Sequence, residues 1–134
     1  RVALLSYSDF GENRGYDDVD KVAHALSILR ATDPELIVDG EMQADTAVNE
    51  HRALTDFPFS QIRGDANVLI FPDLASGNIA YKLLRELGGA TAVGPVLVGL
   101  NKPVNALALG ATVDDVVNMA AITVNQIISR GRSR

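Results

Sequence analysis

The sequence predicts an α/β fold, a mainly parallel sheet with helices packed on both of its faces. Short apolar runs alternate with stretches in which apolar residues recur at helical spacing. Strands separated by helices need crossover connections, and those make neighbouring strands parallel. The run Asn67 to Pro72, "NVLIFP", is apolar on both faces, as expected of a strand near the centre of such a sheet. At 134 residues, 47% of them hydrophobic and 22% charged, the chain is large enough for one domain with a core.

"VALLSYS" (Val2 to Ser8) reads as a buried strand that runs into a loop carrying Gly11 and Gly15. Asp17 or Asp18 can cap the helix that follows, in which Val19, Val22, Ala23, Leu26 and Leu29 share a stripe and which Pro34 stops. "ELIVDGE" predicts the second strand, "MQADTAVNEHRAL" a helix, and "TDFPFSQIRGDA" a connection to the third strand at 67–72. "DLASGNIAYKLLRELGG" predicts a helix ended by Gly88 and Gly89. "TAVGPVLVGL" is strand-like, but Gly94 and Pro95 make it an edge, a bulge or two short pieces, and "PVNAL" is a candidate last strand. "TVDDVVNMAAITVNQIIS" predicts a final helix whose stripe of Val113, Val116, Val117, Ala120, Ala121, Val124 and Ile128 is wider than one sheet contact needs, so a twofold partner is expected to cover the surplus.

The net charge of −5 argues against nucleic acid or an anionic membrane as partner. Without cysteine there are no disulfides, thiolate metal sites or thiol nucleophiles, in keeping with a reducing, cytoplasmic setting. No apolar run is long enough to span a bilayer. The opening "RVALLSYS" lacks a signal-peptide layout, and a start inside a strand without methionine suggests a piece of a longer chain.

In a parallel sheet, ligands sit outside the carboxyl ends of the strands. Here those ends are Tyr7-Ser8-Asp9, Asp39-Gly40-Glu41, Pro72-Asp73 and the loop "NALALG". Asp39, Glu41 and Asp45 could bind a metal or do acid–base work; Glu41 and Asp45 equally suit the positive end of the next helix. Asn78, Lys82 and Arg85 lie at spacings of four and three, so two cations on one helix side could hold a phosphate or simply be solvated. His24 and His51 have no second histidine at ligand spacing, so no metal site is expected. There is no G-x-S-x-G elbow, P-loop or G-x-G-x-x-G. "NALALGATVDD" (Asn105 to Asp115) has the form of a site loop feeding a helix, with Thr112 and Asp115 three apart, yet its centre carries no polar side chain.

Several stretches together, "LLSYS", "VDGEMQAD", "ANVLIFPDLASGNIAYKLL", "GGATAVGPVLVGLNKPVN" and "VDDVVNMAAITVNQ", resemble the carboxyl-terminal part of the phosphate acetyltransferase/butyryltransferase family. The resemblance implies a three-layer α/β/α subdomain like that of isocitrate and isopropylmalate dehydrogenases over residues 1–128, with 129–134 a tail. It also implies coenzyme A in a cleft and a dimer or dimer-based higher oligomer. Where the transferases read like "PVNDLSRG", this chain reads "PVNALALG", so Ala108 and Leu109 replace the serine and arginine that serve acyl transfer while Asp115 is retained. That departure, with "SDFG", "DGEMQADTA", "FPFS" and "VNMAAI", resembles the family's malic-enzyme group. The expectation is then a non-catalytic, acetyl-CoA-sensing dimerisation domain of an NADP-dependent malic enzyme. Malate oxidation, NADP and a divalent metal would belong to an upstream domain. The alternatives are a working phosphate acetyltransferase or butyryltransferase with an altered loop, and a purely structural dimerisation module. The resemblance places the acetyl-CoA site at Ser8, Asn78, Lys82, Arg85, Asn105, Asp115 and Ile122.

Overall fold

Strand β1 (Val2–Leu5) sends alternate side chains to opposite faces, and two cores form on it. Ala3 and Leu5 join Met42, Ala47 and Ile62 on one face, while Leu4 joins Val22, Leu26 and Val38 on the other. The second set is supplied by helix α1 (Asp17–Thr32) and strand β2 (Val38–Met42), the first by β2 and the short helix α2 (Ala44–Val48). A three-layer α/β/α arrangement results, with β1 parallel to both β2 and β3 (Val68–Ile70) in the order β2-β1-β3. This is the computed structural model of the chain; it describes residues 1–132, so the end of the expected tail, 133–134, lies outside the described residues. Two compact units are present, Arg1–Ala80 and Tyr81–Arg134.

In the first unit, Tyr16 is the residue before α1 and no side chain caps that end; Asp18 accepts from the adjacent Val19 N–H and from the Tyr7 hydroxyl. The helix expected across 42–54 is broken in two. Asn49 leaves helical geometry after α2 and its side chain accepts from Arg52 N–H, capping helix α3 (Glu50–Asp56). β3 is not central: β1 is, and Val68 and Ile70 are exposed. Helix α4 (Leu74–Gly88) starts at Asp73, whose carboxylate accepts from Ser76 N–H at 2.7 Å. That bond, and the Ser76 hydroxyl, hold the Asp73 pKa below its ordinary value.

In the second unit, Gly89 takes the left-handed conformation just past α4, at φ 64°. The expected strands at "TAVGPVLVGL" and "PVNAL" are not formed among the described residues: 91–100 and 103–107 run without ladder partners. Helix α5 (Val113–Arg132) follows. Met119 is the buried hydrophobic residue described in this unit. No helix among the described residues is long and apolar enough to cross a membrane.

Candidate functional site

The carboxylates that the sequence grouped in the first unit are consumed by structure. β2 carries one residue more than β1 between Leu4/Gly40 and Leu5/Met42, and that extra residue is Glu41. Only glycine fits beside it, because a Cβ on Gly40, at φ 141°, would lie 2.6 Å from the Leu4 carbonyl oxygen. Glu41 is fully buried. Its Oε1 accepts from Gly11 N–H and, at 3.5 Å, from the Ser8 hydroxyl. Its Oε2 has no hydrogen bond but lies 3.4 Å from the Arg14 guanidinium, an ion pair without hydrogen-bond alignment. Asp39 accepts four bonds, from Arg30 Nη2 and Gly40 N–H on one oxygen and from the Ser60 hydroxyl and Gln61 N–H on the other. Asp9, also buried, accepts from Gln43 N–H and Arg52 Nη2. Burying a carboxylate is costly unless it is paired and hydrogen-bonded; these arginines and amides pair all three, with Glu41 Oε2 met by the Arg14 charge alone.

The helix-dipole reading of Glu41 therefore does not hold, since its charge is spent on the loop Ser8–Arg14; Asp45 pairs with Arg52 at 3.0 Å. No group of three metal-ligating side chains stands together among the described residues. Ser8 is buried as well; its hydroxyl accepts from Asn13 N–H and donates to Glu41. A cavity of about 590 Å³ in this unit is lined by Phe10, Arg14, Leu26, Arg30, Asp39, Gly40, Phe59 and Gln61, with both arginines already on buried carboxylates.

The second unit gathers a different set. A cavity of about 800 Å³ lies between the α4 residues Tyr81 and Arg85, the segment Ala92–Pro95, the loop Leu107–Thr112, and Asp115 and Met119 of α5. The residues singled out in the sequence that meet here are Arg85, Gly94, Pro95, Ala108, Leu109, Thr112 and Asp115. Thr112 and Asp115 form a reciprocal cap. Asp115 Oδ2 accepts from Thr112 N–H at 2.8 Å and from the Thr112 hydroxyl at 2.9 Å, and Asp115 N–H donates back to that hydroxyl at 3.2 Å. The Thr112 amide bond, then the hydroxyl, lower the Asp115 pKa; burial opposes them slightly and the Arg85 charge assists. Asp115 is thus a poor base but a dependable anion. The loop bends at Gly110, φ 86°, and Leu109 before it is fully exposed.

The other expected ligands lie elsewhere. Lys82 places its ammonium 5.2 Å from the Tyr81 ring centroid and does not line the cavity. Asn105 is a clamp: its Oδ1 accepts from Leu97 N–H, and its Nδ2 donates to Thr123 Oγ1 and Gln126 Oε1. Asn78 is exposed on α4, and Ile122 is half-buried on α5. Sequence reasoning missed the cavity residue Met119, and the arginines 14, 30 and 52 that neutralise buried carboxylates. Long-range pairing leaves no trace in local spacing, so no signal pointed to them.

Residues 1–124 match the family model described as phosphate acetyl/butaryl transferase. A phosphate acetyltransferase of Corynebacterium glutamicum is 53% identical over 99% of this chain and 40% of its own length. That of Bacillus subtilis is 48% identical over 96% of the chain and 39% of its own length. A phosphotransacetylase crystal structure from Streptococcus pyogenes superposes with a TM-score of 0.88 at 44% identity, covering 96% of this chain and 39% of that one. The chain thus spans about two fifths of the length of the curated relatives it matches. These findings overturn the malic-enzyme expectation: relatives matching nearly the whole chain carry the transferase name, and nothing supports NADP, malate oxidation or an oxidoreductase parent.

Proposed function

We propose an acyl-transfer function on one premise: the chain belongs to the phosphate acetyl/butaryl transferase family. In this reading the chain is the carboxyl-terminal part of an enzyme that moves an acyl group between coenzyme A and phosphate. The carbon–sulfur bond of the thioester breaks, a carbon–oxygen bond to phosphate forms, and coenzyme A leaves as the thiol. The observation that carries it is the cavity that Arg85 and Asp115 line together with the loop Leu107–Thr112. Arg85 offers charge-assisted donors to the phosphate groups of coenzyme A. Asp115, kept ionised by Thr112, offers a fixed acceptor. Lys82 on α4 and Ile122 on α5 belong to the same proposed coenzyme A surface, and Asn105 holds the segment at Leu97 to α5.

Ala108 and Leu109 line the cavity without donating to the charge that develops in acyl transfer. Turnover is therefore expected to be slow, since loss of one such donor typically costs about 10²–10³-fold in rate. The test is phosphate-dependent release of thiol from acetyl-CoA by the full-length protein. The Ala108→Ser, Leu109→Arg double variant should raise that rate by about 10²-fold or more. Arg85→Ala should weaken coenzyme A binding by roughly tenfold to a hundredfold. No phosphate-dependent release by either the native protein or the double variant overturns the reading. Self-association through the exposed apolar residues of α5, Val116, Val117, Val124 and Ile128, is part of the same proposal. Light scattering at micromolar concentration should show a dimer, and a monomer there removes that part.

A further inference from the structure

The wall of the second unit's cavity combines two chemistries. Arg85, Thr112 and Asp115 are charged or polar, and Tyr81 adds a phenol. Val93, Pro95, Leu107, Ala108, Leu109 and Met119 are apolar. Leu107 is 44% exposed, Val93 36%, and Leu109 fully so, which leaves apolar surface on the wall for a ligand to cover. Such a surface attracts a ligand that brings a polar anchor and an aliphatic tail together.

From this wall we infer that the cavity selects for the length of the acyl chain, favouring acyl groups longer than acetyl, and that Leu109 is the residue that sets the preference. The inference rests on the acyl-transfer reading for the identity of the ligand, and on the cavity alone for the apolar contact. An acetyl group has a single methyl to lay on the wall. Each further methylene removed from water is worth about 0.8 kcal/mol, or roughly fourfold in affinity. Because the wall is open at Leu109, part of that gain is lost, and about tenfold is expected between acetyl and butyryl. An arginine at 109 would offer a hydrated cation in place of the leucine methyls and would select against the longer chain.

The experiment is titration calorimetry of the full-length protein with coenzyme A, acetyl-CoA, butyryl-CoA and hexanoyl-CoA. It reads binding independently of turnover. In the native protein, affinity should climb along the series by about tenfold from acetyl to butyryl and further to hexanoyl. In Leu109→Arg the climb should flatten to within about twofold, each acyl-CoA being compared with the same variant's affinity for free coenzyme A. Leu109→Ser repeats the test without adding charge, and full exposure at the loop tip makes both changes compatible with folding. Equal affinities across the series in the native protein overturn the inference, as does a climb that survives in both variants. A climb lost in the variants, but with no phosphate-dependent thiol release from any acyl-CoA, upholds the apolar selection and overturns the acyl-transfer reading.

Discussion

The two units treat their polar residues in opposite ways. In Arg1–Ala80, the carboxylates of Asp9, Asp39 and Glu41 are buried, each beside an arginine and backbone amides, so groups that look chemical in sequence are committed to holding loops onto the sheet. In Tyr81–Arg134, Arg85 and Asp115 stay on a cavity wall while leucines and valines of α4 and α5 remain exposed. The buried hydrophobic side chains described, Met119 excepted, all belong to the first unit. A charged residue in a site must keep donors or acceptors to spare, and one that stabilises a fold must not.

That contrast is broken most forcefully at Asp39. Asp39→Ala leaves Ser60, Gln61 and Gly40 donors without their acceptor and Arg30 without its partner. A loss of about 3–5 kcal/mol of unfolding free energy is expected by urea titration. A loss under about 1 kcal/mol would show that water replaces the carboxylate and that these bonds do not support the first unit. Glu41→Gln keeps the shape but removes the charge facing Gly11 N–H and Arg14, and should cost about 1.5–3 kcal/mol. If it is neutral in the same titration, the buried glutamate is not what holds the loop.

In the second unit the effects shrink. Thr112→Ala removes the hydroxyl that accepts from Asp115 N–H and donates to its carboxylate, keeps the Thr112 N–H bond, and should lower stability by about 1 kcal/mol, read from the helical circular dichroism signal on heating. An unchanged melting curve would mean that the helix start is held by other contacts. The smallest effect is on titration. The Asp115 pKa lies below that of an unfolded aspartate, so its contribution to the cap is present above the unfolded value and is lost as pH falls through the lower, folded one. Carboxyl chemical shifts followed by NMR should show this midpoint moving up in Thr112→Ala. A midpoint that stays put would assign the shift to the Thr112 N–H, which the variant keeps, and not to the hydroxyl.

The sheet was legible because "VALLSYS" and "NVLIFP" are apolar runs bounded by turn residues, but their order was not. An apolar run reads as central whether both faces are covered or Val68 and Ile70 stand exposed at an edge. The single helix expected at 42–54 failed at Asn49, a residue that caps a new helix more readily than it continues an old one. The strands expected after α4 needed partners that periodicity cannot supply. At the site, Thr112 and Asp115 were readable from their spacing of three, whereas the approach of Arg85 to Asp115 depends on where the α4 residues and the loop meet, and no local pattern encodes that. The reading of function went astray for a related reason. Ala108 and Leu109 describe one loop, while family membership is distributed over residues 1–124.

The clamp at Asn105 is directional throughout. Leu97 N–H donates to Asn105 Oδ1, Asn105 Nδ2 donates to Thr123 Oγ1, and that hydroxyl spends its own proton on the Met119 carbonyl. Asn105 Nδ2 also donates to Gln126 Oε1, and Gln126 Nε2 closes the ring on the Leu97 carbonyl. Both protons of Asn105 Nδ2 are already assigned, so the ring is sensitive to chemical ageing. Deamidation of Asn105 would exchange its donor for a second oxygen. That oxygen would face two acceptors, the hydroxyl of Thr123 and the carbonyl of Gln126, and segment 97–105 would lose its hold on α5 without any change in the gene.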